Sequence, residues 1–511
     1  MTPEPVSEVG RRRLEKLDRL RAAGVDPFGS GYAVSHFAGP LHARFGAASE
    51  EDLRAAGHVA VAGRLVSLRH HGKACFAHLQ DGTGAVQLYA RADGLADAYA
   101  GWVDLDVGDF VGVQGELMRT RTGELTVQVK EWTFLGKSLR PLPEKWHGLR
   151  DVATRYRQRY VDLLVNPGVR EVFQLRARLI QGIRAFLDAR GFLEVETPSL
   201  QAIPGGASAR PFATHHQALD MPLYLRIALE LYLKRLVVGG IDRVYEIGRI
   251  FRNEGVSTEH NPEFSMLEFY QAYADYRDLM ELTEALLVEL ARTIRGGPRI
   301  TYQGVEVDLT PPWRRLSYLE GVAEALGLPP EAVRDREVVR KAGAAAASRA
   351  GRAAAAWRWD ADTSVSQLWK DVFETFVEPT LVQPTFVVDF PTELSPLAKQ
   401  KRADPALVER FELFVVRMEL ANAYSELNDP HEQRRRFEAQ LRAREAGDEE
   451  AQRLDEDYLR ALEYGLPPTA GEGVGIDRLT MLFADRASIR EVILFPLLRP
   501  EAGTPEDLPT P

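Results

Sequence analysis

The chain has 511 residues, with 64 Lys and Arg against 74 Asp and Glu for a formal net charge of −10, and is 45% apolar and 27% charged. That is ordinary globular composition with length for two or three domains, which excludes a peptide, a fibre or a wholly disordered chain. The acidic balance provides no basic footprint for nucleic acid, so RNA binding must rest on local motifs. The single Cys75 excludes an internal disulfide and Cys-rich metal sites and suits a small buried apolar residue in a reducing cytosol.

The N-terminus lacks the basic-then-apolar order of a secretory signal, and no apolar run reaches the roughly 20 residues that a bilayer crossing needs. A soluble cytoplasmic protein with no membrane partner is expected. An N-terminal helical arm spans 1–55. Within it, residues 7–24 set Arg11, Arg12, Arg13, Lys16, Arg19 and Arg21 against Leu14, Leu17 and Leu20 at three-residue spacing. This is the pattern of an amphipathic basic helix, either packed by its leucines or touching RNA. From 56 to 139 the pattern changes to β-rich runs, His58–Val66, Lys73–Gln80, Ala85–Ala90, Asp109–Leu117 and Leu125–Phe134, with a short helix over Leu95–Trp102. Five strands with a helix after the third is the order of an oligonucleotide-binding (OB) barrel.

The Pro-rich run from Arg140 opens a linker over 140–155, because proline suits extended connections. Residues 156–500 mix helices with β-rich segments, as one large α+β domain does. Within that domain about 285–375 reads as a variable, peripheral insertion. Ala344–Ala356, nearly all alanine, has helix propensity and little to bury. The Pro, Glu and Thr of 501–511 suit a flexible tail.

Four segments carry chemistry. Val172, Leu175, Leu179, Ile183, Phe186 and Leu187 mark a helix that runs into Gly191, and Phe192–Pro198 reads as an alternating strand ended by proline. Val244–Glu254 reads as a strand, Gly255–Asn261 as a polar loop and Phe264–Tyr270 as the return strand. Period two places Arg252 and Glu254 on one face, and Phe264, Met266, Glu268 and Tyr270 together. Solvent would waste the aromatics and a core would bury Arg252 and Glu268 at cost, so a ligand site is expected there, with a structural ion bridge as the alternative. Phe411–Glu426 is a strand-like apolar run with embedded carboxylates. Hard divalent cations beside phosphates take one or two carboxylates, so Glu412 and Glu419 suit Mg²⁺, against the alternative of an exposed hairpin face. Finally, Gly471, Gly473 and Gly475 alternate before an amphipathic helix and let a ligand approach the backbone near Arg478. The pairs His70-His71 and His215-His216 lack cysteine partners and helical spacing, and read as solvent-facing or structural.

Arg252-x-Glu254, a loop and His260-x-x-x-Phe264, with the Pro198 segment before and Gly473-x-Gly475-x-x-Arg478 after, resemble the three ordered motifs of class II aminoacyl-tRNA synthetases. The runs Ile203–Phe212, Leu231–Leu236, His260–Phe264, Ser425–Pro430 and Leu466–Gly471 are similar to those of the class II lysyl-tRNA synthetases. The similarity extends from the OB-like domain to about residue 500.

The resemblance implies an antiparallel catalytic sheet flanked by helices, an anticodon-binding OB domain before it, and a homodimer whose interface motif is the Pro198 segment. It implies that lysine and ATP give lysyl-adenylate and pyrophosphate, and that lysine then passes to the 3′ end of tRNA(Lys). By the same resemblance, Arg252 grips the α-phosphate and substrate carboxylate, Glu254 accepts from the adenine amino group, and Phe264 and Arg478 sandwich the adenine. His260 and Asn261 lie near the nucleotide, and Glu412 with Glu419 holds Mg²⁺. Lysine is assigned to Gly206, Glu230, Glu268, Tyr270, Asn422, Tyr424, Glu426 and Gly473. Such a set suits an ammonium that is expensive to desolvate unpaired. In the OB domain Arg69, Phe76, Gln87 and Glu124 align with anticodon-meeting positions, although Phe76 in an alternating strand also fits barrel core.

Ala421, Ala423 and Tyr424 stand where many bacterial members carry Gly, Gly and Phe, Ala228 stands where a proline is common, and Glu259 stands where a base is common. Aspartyl- and asparaginyl-tRNA synthetases, the nearest competing reading, share this architecture, but an aspartate pocket needs positive charge where the groups here are acidic. A protein-lysylating paralogue usually lacks the barrel, and a silent RNA-binding protein would be expected to have lost Glu412, Glu419, Arg252 or Arg478.

Overall fold

The computed structural model describes residues 7–143, 149–351, 357, 359–360, 363–445 and 453–499. Residues 144–148 of the expected linker, 352–356 of the alanine-rich run and the 501–511 tail lie outside the described residues. The chain divides into two compact units, Met1–Arg150 with Pro500–Pro511, and Asp151–Arg499. No described helix is long and apolar enough to cross a membrane.

The first unit opens with α1 (Glu8–Ala22), α2 (Ala38–Phe45) and α3 (Glu50–Ala55). Ser7 caps α1 by accepting from Gly10 N–H. Three of its bases are spent on packing. Arg13 is 6% exposed and donates to the carbonyls of Val107, Ser138 and Arg140. Lys16 pairs with Asp104 and Asp106, and Arg19 with Asp104.

Strands β1 (His58–His71), β2 (Ala74–Gln80), β3 (Ala85–Arg91), β4 (Phe110–Arg119) and β5 (Leu125–Gly136) close a barrel in the order β1-β2-β3-β5-β4. The helix expected after the third strand is two short ones, α4 (Ala92–Leu95) and α5 (Ala98–Val103). Alternation on β2 sends Cys75, Ala77 and Leu79 into the core and leaves Phe76 and His78 outside. β1 runs past the expected Val66, through a bulge between Leu65 and Ser67 that brings Arg69 opposite Phe76.

The second unit begins with α6 (Val152–Arg157), α7 (Arg159–Val165) and α8 (Pro167–Asp188). β6 (Leu193–Glu194), β7 (Leu200–Gln201), β8 (Ala213–His216), β9 (Met221–Leu225) and α9 (Glu230–Val238) follow. Next come β10 (Arg243–Phe251), β11 (Glu263–Ala272), α10 (Tyr276–Arg295), β12 (Arg299–Tyr302), β13 (Val305–Asp308) and β14 (Arg314–Ser317). The remainder is α11 (Tyr318–Leu326), α12 (Arg336–Arg349), α13 (Val365–Val372), β15 (Thr385–Val388), β16 (Arg410–Val415) and β17 (Met418–Ser425). The unit ends with α14 (Pro430–Glu445), α15 (Glu456–Glu463), β18 (Thr469–Gly475), α16 (Ile476–Ala484) and α17 (Ile489–Val492).

Eight strands form one sheet in the order β14-β15-β16-β17-β18-β11-β10-β6, antiparallel except for the parallel pairs at its two edges. One face packs on α8, α10 and α16. Leu267 and Phe269 of β11, Ala421 and Ala423 of β17 and Val474 of β18 join Leu179, Ile183, Leu286, Leu290 and Leu482 in a single core. The other face is divided, with Val244 and Ile250 of β10 and Ala272 of β11 packed with Leu231, Leu233 and Tyr458, and a polar cavity over the rest. Arg176 of α8 ties the layers together, donating to Asp477 of α16 and Ser265 of β11.

Three expectations change. The strand over 192–198 shortens to Leu193–Glu194, whose pairing with β10 covers only Val244 and Tyr245. β10 ends at Phe251, so Arg252 and Glu254 leave the sheet and period two does not govern them. The stretch 285–375 is not peripheral as a whole, because Leu286, Leu287 and Leu290 sit in the main core and β14 is a strand of the main sheet. Ala346 and Ala347 of α12 are buried as well. Helix propensity alone does not show that packing.

Arg159, 1% exposed, donates to Asp162 and to the carbonyls of Arg490, Ile493 and Leu494, fastening α7 to the end of the unit. Truncation leaves Asp162 short of a buried partner. Arg159→Ala is expected to lose about 3–5 kcal/mol in urea unfolding of the second unit.

Candidate active site

On its open face the sheet floors a cavity of about 410 Å³. Period two selects the floor: Phe264, Met266, Glu268 and Tyr270 of β11 line it while Leu267 and Phe269 point to the core. Asn422 and Tyr424 of β17 and the glycines of β18 complete it. Glu419 has the wrong parity to share a face with Asn422. A bulge at Leu420, where Ala421 pairs with Leu413 but Glu419 with Phe414, turns its side chain to the cavity.

One end is built by arginines. Arg252, just past β10, has its guanidinium 5.3 Å from the Phe264 ring, and burial lowers its pKa. Arg478 lies in the first turn of α16 and donates to the Glu419 carbonyl at 2.8 Å and to His260 Nε2 at 3.0 Å. An arginine only donates, so Nε2 is the bare nitrogen and His260 is neutral. Burial and the Arg478 charge hold its pKa below the usual value. Asn261 donates to the Glu263 carbonyl while its own buried Oδ1 has no partner. Glu254 is exposed at the rim.

The other end is built by carboxylates. Leu229 N–H and the Tyr270 hydroxyl donate to Glu268, whose burial pushes its carboxyl up to about 7. Tyr424 donates to Glu230 Oε2 at 2.7 Å. Glu426, 1% exposed, is pushed by burial up to about 8, and its Oε1 has no partner. Gly206, at φ +90, lies against Glu230.

Of the expected residues, Gly206, Glu230, Arg252, Glu254, His260, Asn261, Phe264, Glu268, Tyr270, Glu419, Asn422, Tyr424, Gly473 and Arg478 line this one cavity. Glu412 and Glu426 do not reach its wall. Glu412 sits behind it, bonded to Arg410, and burial, with the charges of Glu419 and Glu378 adding to it, lifts its carboxyl to about 7. The sequence reading missed three groups. Arg410 lines the cavity and donates to Asn422, Glu412, Ser395 and the Leu394 carbonyl. Glu378 adds a third carboxylate near Glu412 and Glu419. Lys234, wholly buried, bridges Glu230 and Glu426. Only the i, i+4 spacing of Glu230 and Lys234 on α9 was visible in advance.

On the barrel, Arg69, Phe76 and Tyr89 are neighbours across β1, β2 and β3, and the Phe76 and Tyr89 rings lie 4.7 Å apart. Phe76 is half-buried on the outer surface, not in the core. Beside it Glu124 accepts from His78 and Gln87, and Gln87 accepts from Thr126. His70, His71, His215 and His216 are exposed.

The family described as tRNA synthetases class II (D, K and N) matches residues 151–499, and the OB-fold nucleic acid binding domain matches 59–135. The chain belongs to the class II tRNA synthetases. This synthetase is 54% identical over 498 residues to a lysine–tRNA ligase of Pelotomaculum thermopropionicum, covering 97% of this chain and 96% of the relative. It is 55% identical over 500 residues to that of Anaeromyxobacter dehalogenans, covering 96% and 98%, and 52% identical over 501 residues to that of Carboxydothermus hydrogenoformans, covering 98% and 100%.

A Cβ on Gly471 would overlap the Tyr270 ring and Glu426 Oε1, whereas one on Gly475 would meet nothing closer than 3.8 Å. In this synthetase Gly471→Ala is expected to cost on the order of 1–3 kcal/mol of stability and to impair amino-acid activation. Gly475→Ala should cost less than about 1 kcal/mol. Urea unfolding of both variants measures the difference.

Proposed function

We infer that the cavity activates lysine with ATP and that the protein is a lysine–tRNA ligase, which passes the activated lysine to tRNA(Lys). The observation that carries this reading is the polarity of the cavity, with Arg252 and Arg478 at one end and Glu230 and Glu268 at the other, where Glu426 stands behind the wall. A substrate with a carboxylate at one end and an ammonium at the other fits that polarity. An aspartate side chain would meet the wrong charge.

The substrate carboxylate is its own nucleophile, so the chain needs no covalent residue. Its work is to position two reactants and to neutralise charge developing on the phosphates. In this reading Arg252 holds the α-phosphate and substrate carboxylate together. Adenine lies between Phe264 and Arg478, with Glu254 accepting from its amino group and His260 and Asn261 alongside. The neutral His260 is fit to accept or donate without adding charge. Lysine meets Gly206, Glu230, Glu268, Tyr270, Asn422, Tyr424, Glu426 and Gly473.

Glu412 and Glu419 fit Mg²⁺. Both are hard oxygen donors; burial first, and then the charges of Glu419 and Glu378, raise the Glu412 carboxyl, and a bound cation would favour its ionised form. Bound there, Mg²⁺ would neutralise the ATP phosphates. No set of three or more metal-ligating side chains is gathered among the described residues, so such an ion would take its other ligands from phosphate and water.

For the OB unit, we propose that an anticodon base stacks on Phe76 beside Arg69, with Gln87 and Glu124 reading base edges. Exposed Leu193 and Leu200, flanking the Pro198 segment, support a homodimer through that segment. A cytoplasmic location follows from the tRNA substrate.

ATP–pyrophosphate exchange with each of the twenty amino acids tests the reading, and exchange confined to lysine is expected. Exchange with aspartate or asparagine would overturn the pocket assignment. Glu412→Gln and Glu419→Gln should each abolish exchange in a folded protein, and near-normal exchange in both would sink the Mg²⁺ assignment. Phe76→Ala is expected to weaken tRNA aminoacylation and spare exchange, since its ring lies outside the barrel core. Equal loss of both activities would refute the stacking role.

A further inference from the structure

A pocket that takes lysine holds a lysine of its own. The Lys234 ammonium is 0% exposed and lies 2.6 Å from Glu230 Oε1 and 2.7 Å from Glu426 Oε2. Each carboxylate commits one oxygen to it. The other oxygen of Glu230 accepts from Tyr424, and the other oxygen of Glu426 is buried with no partner among the described residues. The groups facing Lys234 are Glu230 of its own helix, Glu426 after β17 and Tyr458 of α15, whose ring centre is 5.3 Å away. Behind Glu426 stand Glu268 and Tyr270 of β11.

Along the cavity and just behind its wall, three buried carboxyls, Glu230, Glu268 and Glu426, stand against two cations, Lys234 between two of them and Arg252 at the arginine end. With all three carboxyls ionised, one negative charge is left over. Free lysine at neutral pH carries two ammonium groups and one carboxylate, hence one net positive charge. With the carboxyls ionised, the pocket that holds lysine is neutral, the state that burial favours.

We propose that Lys234 is a positioning residue for amino-acid specificity. It is a built-in counter-cation that leaves these groups one positive charge short of neutral, the charge the substrate brings, and it fixes one oxygen each of Glu230 and Glu426. This rests on the reading of the cavity as a lysine site.

The Lys234 ammonium, which burial alone would weaken, is held well above its ordinary pKa by Glu230 and Glu426, so it stays charged through the working range. Glu426 is pushed up by burial and held down by Lys234, to about 8. Substrate ammonium needs the ionised carboxylate, so lysine affinity rises with pH until the carboxyl has lost its proton. Removing the Lys234 charge moves that transition to higher pH.

The test is the KM for lysine in ATP–pyrophosphate exchange between pH 6 and 9. Lys234→Met is expected to move the midpoint up by about one unit or more and to raise KM for lysine about tenfold at pH 7, with KM for ATP little changed. Lys234→Arg, which keeps the charge, should hold the midpoint. An unmoved midpoint in Lys234→Met, an equal shift in Lys234→Arg, or a parallel rise in KM for ATP would each overturn the proposal. If the variants do not fold, calorimetry of lysine binding to the unaltered protein at pH 8 in buffers of different ionisation enthalpy decides it. Release of less than one proton per lysine supports the proposal, and release of one or more overturns it. Exchange by the unaltered protein reports lysine activation itself, so failure of the site reading would appear there and failure of this proposal only in the variants or the proton count.

Discussion

Burying carboxylates without destroying the fold is the constraint on which this molecule turns. Glu230, Glu268, Glu426 and Glu472 are all at most 5% exposed, and each isolated charge in such a setting would cost several kcal/mol. The sheet meets the cost by having two unlike faces. On one, Leu267, Phe269, Ala423 and Val474 seal against helices and keep water out. On the other, the intervening residues meet Lys234, Arg252, tyrosine hydroxyls and backbone N–H groups. Glu472 shows the same rule on the core side: no cation is bonded to it, burial lifts its carboxyl to about 8, and the Thr283 hydroxyl donates to it.

The arginines solve a related problem at the other end. Arg410 and Arg478 each join a carboxylate of the β16–β17 hairpin to something outside it, Arg410 to the segment at Leu394 and Ser395, and Arg478 to His260. Planar guanidinium groups with five donors suit such junctions better than an ammonium does. The compact ammonium of Lys234, by contrast, fits between two carboxylate oxygens in a closed space. A reaction that needs orientation and electrostatic neutralisation, and no covalent residue, is served by this kind of interlinked polar lattice.

The OB unit follows a different logic. Its apolar core is closed, and Phe76, Tyr89, Arg69 and the Glu124 cluster lie on the outer surface, where strand register sets them side by side. The helix α1 is fastened to the barrel by Arg13, Lys16 and Arg19.

Much of this was legible in the chain. Alternation over Phe264–Tyr270, the glycines before Arg478 and the β-rich runs of the barrel are local patterns, and local backbone geometry reads them out directly. What local pattern could not supply were parity changes and distant partners. The bulge at Leu420 reverses the face of Glu419, the early end of β10 frees Arg252, and Leu286 and Leu290 belong to the core although their stretch looked dispensable. Lys234, Arg410 and Glu378 were invisible as site residues because their partners lie far away in sequence or only just off the expected strand. The sequence by itself determined the two folds, the order of the motifs and many of the polar residues that line the cavity, since these depend on periodicity and residue type. Only the tertiary structure decided how the charges pair, because pairing is set by which strands and helices meet in space and by how little water is left between them.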